Sequence, residues 1–457
     1  MTHGSPVPER SADPSAGQPP RYSEGQSSPT ISATVIKRAN DLADQAAFLW
    51  SSRSFVARSS AVTFTALANL DQRIFRLVAA LSERPGLAER LRTTQDTPFR
   101  SGHAFVTAAV ALRSGAVSVF DELVERLGED DALLAPLTSS LSWFEYAEVR
   151  AHVERLLSSS RPAVVRLGIL SAVAHRFDPG MVLEEALDAL DPLLRAAALE
   201  AAGRLGALDL RAKLLAALDD EDDACRFWAA WSAVRLGERA GLPVLGRFAV
   251  AEGRFAKPAC DMALRALEPD QAVAAHTRFM SEVTDMRMGV LAAGIVGDPM
   301  LVSWLFTQME APPLARHAGA AFSLVTGRDL RRDDLDGAPP PDVIASSVES
   351  GTDVDGEKLE GERPTDPNGH TLPPEADDEF VWPDSTRIRQ WWDRNAFAFV
   401  GGIRYLAGVP VRPAELTGVL RVGNQQQRAA AALELGLHRP DAPMLDVTAP
   451  AHRQDQS

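Results

Sequence analysis

Apolar residues along this chain recur with the spacing of helices. In "TVIKRANDLADQAAFLWSSRS", Val35, Leu42, Ala46 and Leu49 fall seven, four and three residues apart, which puts them on one helical face. "ALANLDQRIFRLVAALSERPG" reads as another helix from Ala66. Pro85 and Gly86 end it, because proline lacks a donor and glycine relaxes the backbone. Ser385 opens a further helical pattern in which Ile388, Trp391, Trp392, Ala396 and Phe399 share a face, before Gly401-Gly402 stops it. "NQQQRAAAALELGL", from Asn424 to Leu437, predicts one more helix.

The middle of the chain repeats itself. "DPLLRAAALEAAGRLG" (Asp191 to Gly206) aligns without gaps to "DDACRFWAAWSAVRLG" (Asp222 to Gly237) at an offset of 31 residues. Arg195 matches Arg226, Ala198 matches Ala229, Ala202 matches Ala233, and Leu205-Gly206 matches Leu236-Gly237. Asp191 is placed to cap its helix, and Pro192 falls in the first turn, where no N–H is needed. Small residues on one face let a neighbouring helix approach, and Gly206 can take the left-handed conformation that ends a helix. "LRAKLLAAL" then supplies a shorter second helix. Weaker copies begin at Arg161 and Met286, and "LARHAGAAFSLVTG" sets Arg316 eleven residues before Gly327, as Arg195 stands before Gly206.

A helix pair repeating about every 30 residues cannot bury its own apolar face, so stacking must create the core. The expected fold is an all-α, HEAT-like solenoid of antiparallel helix pairs over residues 32–332. Residues 1–31, rich in Pro, Ser and Gly, are expected to be a disordered tail. Residues 333–379 hold 15 acidic side chains against Lys358 and Arg363, and with them −13 of the net charge of −15. They are expected to be a flexible linker. A small tryptophan-containing helical unit is expected over 380–447 and a polar tail over 448–457.

Composition narrows the chemistry. The chain is 45 % apolar, much of it Ala and Leu, with three Tyr, which favours helix over sheet. Cys225 and Cys260, the two cysteines, cannot form a disulfide scaffold or a cysteine-based zinc cluster and are expected to be buried thiols. Outside the acidic segment the chain is near neutral, with no net pull toward nucleic acid or anionic lipid. No secretory signal and no apolar run long enough to cross a membrane is visible, so a cytoplasmic chain is expected. The sequence has no Walker loop, dinucleotide fingerprint or His-Glu-x-x-His, and its nine histidines show no metal-ligand spacing. No cofactor, metal or catalytic residue is assigned.

The Asp-Pro start, mid-helix Arg, Ala-rich face and Leu-Gly end resemble HEAT repeats, particularly the short variety seen in phycobilin-lyase-like proteins. "DQAAFLWSSR", "AFSLVTGRDL", "WPDSTRIRQWW", "GGIRYLAGVP" and "QRAAAALELGL" are together similar to an uncharacterised proteobacterial HEAT-repeat family whose genes are often found among type VI secretion clusters. That resemblance implies a non-enzymatic scaffold that binds another protein as an accessory of a type VI secretion system, with no catalytic residues to carry over. Two alternatives stand beside it: a nucleic-acid-binding or base-repair protein on a HEAT scaffold, which needs a basic concave face, and a phycobilin-lyase-like enzyme or chaperone. Arg195, Arg226 and Arg316, with Gly206, Gly237 and Gly327, are expected to be structural parts of the repeats. Trp382, Trp391 and Trp392 are expected in the core of the C-terminal unit or against the solenoid. The competing reading makes them, with Arg404 and Tyr405, an anchor for a partner protein.

Overall fold

The computed structural model describes residues 33–60, 62–84, 86–91, 100–341 and 380–454. The tail expected over 1–31 lies outside them. So do the acidic segment beyond residue 341 and the last three residues of the chain.

The described chain is an α-solenoid. Helices α1 (Ala33–Val56) and α2 (Phe64–Ser82) open it. An inner row follows, stacked helix on helix: α3 (Arg100–Ser114), α4 (Leu134–Ser142), α5 (Pro162–Ala174), α6 (Pro192–Leu205), α7 (Asp223–Arg235), α8 (Ala256–Arg265), α9 (Met286–Val296) and α10 (Pro312–Thr326). An outer row of shorter partners alternates with them: Val117–Glu125, Tyr146–Leu157, Met181–Ala186, Arg211–Ala216, Leu242–Val250, Pro269–Glu282 and Val302–Met309.

The repeat chemistry is visible in each pair. Asp191 accepts a hydrogen bond from the Leu194 N–H at 2.8 Å, and Asp222 one from the Cys225 N–H at 2.9 Å, so both start their helices by satisfying a free donor. Pro192 sits in the first turn of α6, and Gly206 closes the helix at φ 77°. Stacking within the row depends on small residues. A Cβ on Gly203 would stand 2.3 Å from Ser232 Oγ of α7, and one on Gly294 of α9 would stand 2.9 Å from the Ala321 Cα of α10. Leu199, Leu214, Phe227, Leu245 and Phe322 are fully buried between the rows, each stabilising the fold by roughly 1.5–3 kcal/mol. At the start of the array, Trp50 stacks on Phe105 with ring centroids 5.1 Å apart.

The two ends of the acidic segment meet. The Gly337 N–H donates to the Trp382 carbonyl at 2.9 Å and the Asp384 N–H to the Leu335 carbonyl at 2.8 Å. The backbone on either side of residues 342–379 is thus joined by hydrogen bonds at one place. Helix α11 (Ser385–Asn395) follows, capped by Asp384 through the Arg387 N–H at 3.0 Å. Then come the antiparallel hairpin β1 (Tyr405–Leu406) and β2 (Val409–Pro410), and helices α12 (Pro413–Val422), α13 (Gln425–His438) and α14 (Ala451–Gln454). Ala407 and Gly408, both at positive φ, make the hairpin turn.

These last elements lie against the inner row. Helix α13 touches the first helix pair at one end, where the Gln425 N–H donates to the Val62 carbonyl at 2.8 Å, and α8 at the other, where Arg265 donates to Glu434 at 3.0 Å. Its 14 residues span only about 21 Å, so the array bends around it.

Candidate partner-binding site

Among the described residues, the seam between the inner row and the C-terminal elements holds most of the buried charged side chains. Arg204, Arg235 and Arg265 stand at the C-terminal ends of α6, α7 and α8, 31 and 30 residues apart. All three face the seam. Arg204 donates to Glu200 at 2.5 Å and lies over the Trp231 ring at 5.9 Å. Burial alone would raise the Asp446 carboxyl, but the Arg204 charge and the hydrogen bonds of Thr448 hold it below the usual carboxylate range. Arg235 is 1 % exposed and donates to the carbonyls of Arg439 at 3.2 Å and Ala442 at 2.7 Å. Burial pushes its guanidinium down to about 10, with Asp441 opposing. Arg265 shares Glu434 with Arg404, at 3.0 and 3.4 Å.

Residues 448–454, expected as a polar tail, are seated in this seam, and the reason is polar. Arg53, paired with Asp71, donates to the carbonyls of Thr448 at 2.9 Å and Ala449 at 3.0 Å. Asp71 in turn accepts from the Ala451 N–H at 2.8 Å. The Met444 N–H donates to the Arg204 carbonyl at 2.7 Å. Gln454 is gripped by Arg428 at 2.5 Å. Arg453 reaches the end of α4, donating to the Ser142 carbonyl at 3.2 Å, and contacts His175 Nδ1 at 2.6 Å. Burial, then the Arg453 charge, pushes His175 down to about 4, so the neutral ring accepts from Arg453. Between residues 444–450 and the walls made by α1, α4, α5 and α6 remains a cleft of about 360 Å³.

The predicted partner residues divide. Arg404 and Tyr405 are 8 % and 5 % exposed and belong to the chain's own interior, which corrects their reading as partner contacts. Arg404 donates to the carbonyls of Arg265 at 2.7 Å, Leu264 at 2.8 Å and Leu267 at 2.8 Å, closing the C-terminal end of α8. The Tyr405 N–H donates to the Gly297 carbonyl at 2.9 Å, and its hydroxyl accepts from the Val400 N–H at 3.0 Å. Gly297, Gly206 and Gly327 let this backbone come close: a Cβ on each would meet the main chain of Tyr405, Asp441 and Ala407 at 2.5, 2.8 and 2.4 Å.

Trp391 and Trp392 are half-buried at the end of the array, 5.8 and 6.3 Å from the Phe322 ring. Phe399 lies 5.1 Å from Trp392, Arg328 covers Trp391, and Arg316 stacks on Trp382 at 5.4 Å. On either side of Phe399 in the chain, Phe397 and Val400 are 87 and 55 % exposed, and Met300, 68 % exposed, lies against Gly401. Arg195 works within the repeats, clamping Asp220 at 2.7 and 2.9 Å and the Ala189 carbonyl at 2.6 Å. Arg226 donates to the Asp220 carbonyl at 2.6 Å and pairs with Asp223. Gly237 and Gly327 sit at φ 92° and 72°.

The row Arg204, Arg235 and Arg265 was legible in the sequence. It falls in the same ungapped alignment as Arg195 and Arg226, in the "RLG" that ends each unit, and the third copy extends it into α8. Among the described residues no group of three or more His, Cys, Asp or Glu could hold a metal ion, and no helix is long and apolar enough to cross a membrane. Both cysteines are free and buried, and burial pushes Cys225 up to about 12.

Rows of short helix pairs with Asp caps, glycine ends and small-residue contacts define an α-solenoid of the HEAT type. A family model described as HEAT repeats matches residues 181–276. Among solved structures, the crystal structure of an engineered protein from the Northeast Structural Genomics Consortium is similar at a TM-score of 0.31 and 14 % identity, over 64 % of this chain and 95 % of that one. No curated protein matches the chain.

Proposed function

We propose that this chain is a non-enzymatic scaffold that binds another protein. The observation that carries the reading is the exposure of three large apolar side chains at the tryptophan end: Phe397 and Val400, which flank Phe399 in the chain, and Met300, which lies against Gly401. Exposed apolar groups on a preorganised base are what protein interfaces use as anchors. Half-buried Trp391 and Trp392, packed on Phe322 and Phe399, and Trp382 beside Arg316 take part in this end of the proposed surface.

The absence of a nucleic-acid partner is part of the proposal. Its support is that Arg53, Arg204, Arg235, Arg265 and Arg404 are engaged by the chain's own carboxylates and carbonyls. A cytoplasmic location and a role as an accessory of a type VI secretion system complete it. They rest on the sequence resemblance and on the two unpaired thiols.

Affinity capture from the native cell tests the reading. A protein retained by the wild type should be lost with Phe397→Asp and Met300→Asp, while circular dichroism stays unchanged because both side chains lie on the surface. Retention of every captured protein by both variants contradicts it.

A further inference from the structure

We infer that the seam under residues 443–454 is a peptide-binding channel, which the chain's own segment 443–454 fills in cis and which a partner's peptide of the same turn-and-helix shape takes by displacing it. This rests on the protein-binding reading above and names a second site for it.

Three observations carry the inference. The first is the manner of holding. Arg53 bonds the Thr448 and Ala449 carbonyls, Asp71 the Ala451 N–H, and the Arg204 carbonyl the Met444 N–H. These wall groups grip main chain, which any peptide that takes the same turn at residues 446–449 and the same helical end offers. The second is side-chain selection at two points. Arg204 and Arg58 attract the Asp446 carboxylate, and the end of α4 with His175 takes the Arg453 guanidinium. The third is the fit. A cleft of about 360 Å³ remains beside residues 444–450, walled by Trp50, Leu134, Leu170 and Val173 as well as by Arg53 and Glu200. Protein cores have few voids larger than a water molecule, and a space of this size belongs to the range of ligand sites. The segment therefore sits in a channel wider than itself.

The occupant follows from these features. It is a peptide that turns and ends in a short helix as this segment does, with an acidic residue, an arginine seven residues later, and between them a larger apolar side chain where this chain has Ala449. That side chain would enter the cleft and give the partner its advantage over the tethered segment.

The test uses full-length protein and fluorescein-labelled peptides of residues 443–454, read by anisotropy. The variant Ala451→Asp/Arg453→Ala, whose own segment is loosened, should bind the peptide at least tenfold tighter than the wild type. Adding Arg53→Ala should abolish that binding. A peptide carrying Ala449→Leu should bind about tenfold tighter than the native one. Equal binding by variant and wild type, or none by a variant that keeps its helical circular dichroism, overturns the inference. If the double variant does not fold, Arg453→Gln replaces it with the same expected order, and unfolding of that variant too counts against a displaceable segment. A concentration-dependent dimer of the wild type in sedimentation would assign the channel to a second copy and overturn the assignment to a partner. No peptide binding alongside loss of a captured protein by Phe397→Asp removes the channel and leaves the scaffold; the reverse pattern removes the Phe397 surface instead.

Discussion

The contact between α6 and α7 and the contact between the inner row and residues 439–454 hold by different physics. The first is a face of Ala, Gly and Ser, where Gly203 meets Ser232 with no room for a methyl group and Ser232 donates to the Leu199 carbonyl at 2.6 Å. Its strength comes from close apolar packing repeated every 31 residues. The second is built from arginines, carboxylates and main-chain carbonyls, with a cleft left inside it. A packed face resists any added volume. A polar seam resists loss of either partner in a charged pair but tolerates loose fit, so it is the part that can open.

The largest expected effect lies in the seam. Glu434→Ala leaves Arg404 buried without its carboxylate and Arg265 with only Asp261 at 3.7 Å, and should cost about 3–5 kcal/mol in chemical denaturation. Acid acts next. His175 titrates near 4 in the folded chain against an ordinary 6.5, so the unfolded chain binds its proton first and acidification favours unfolding. This contribution is intact above about pH 6.5 and is lost as pH falls toward 4, amounting to about 3 kcal/mol at 1.36 kcal/mol per unit. Denaturation midpoints at pH 7 and pH 4.5 should differ less in His175→Gln than in the wild type. In the packed region, Gly203→Val should cost about 1–3 kcal/mol by overpacking against Ser232, measured as a shift in melting temperature. The smallest effect is expected from Arg195→Ala, about 1 kcal/mol, because its bonds to Asp220 and Ala189 lie near the surface.

The same contrast explains what the sequence discloses. Asp191, Pro192 and Gly206 act on their own helix within a few residues, so the α6 unit and its copy at α7 could be read directly, and with them the solenoid. The seam could not. Arg53 binds Thr448 across 395 residues, and it binds a carbonyl that every residue possesses, so no side-chain pattern marks the receiving segment. "APAHRQDQS" looks like a solvated tail because its polarity is the visible feature, while its partners are main-chain groups far away. Arg404 and Tyr405 enter the anchor reading for the same reason: an arginine beside a tyrosine resembles an interface pair until the carbonyls at the end of α8 claim the guanidinium. The periodic Arg204, Arg235 and Arg265 carried a usable signal, since their register equals that of Arg195 and Arg226.

Hydrogen exchange of the full-length protein, followed by mass spectrometry in native buffer, tests most directly that the array closes around a segment held by polar docking. Peptides covering 443–454 should exchange by a separate, lower-energy opening, well before those covering 192–205 and 223–235. Exchange of all three regions together, in a single global unfolding step, would contradict the account and make the C-terminal segment part of the core.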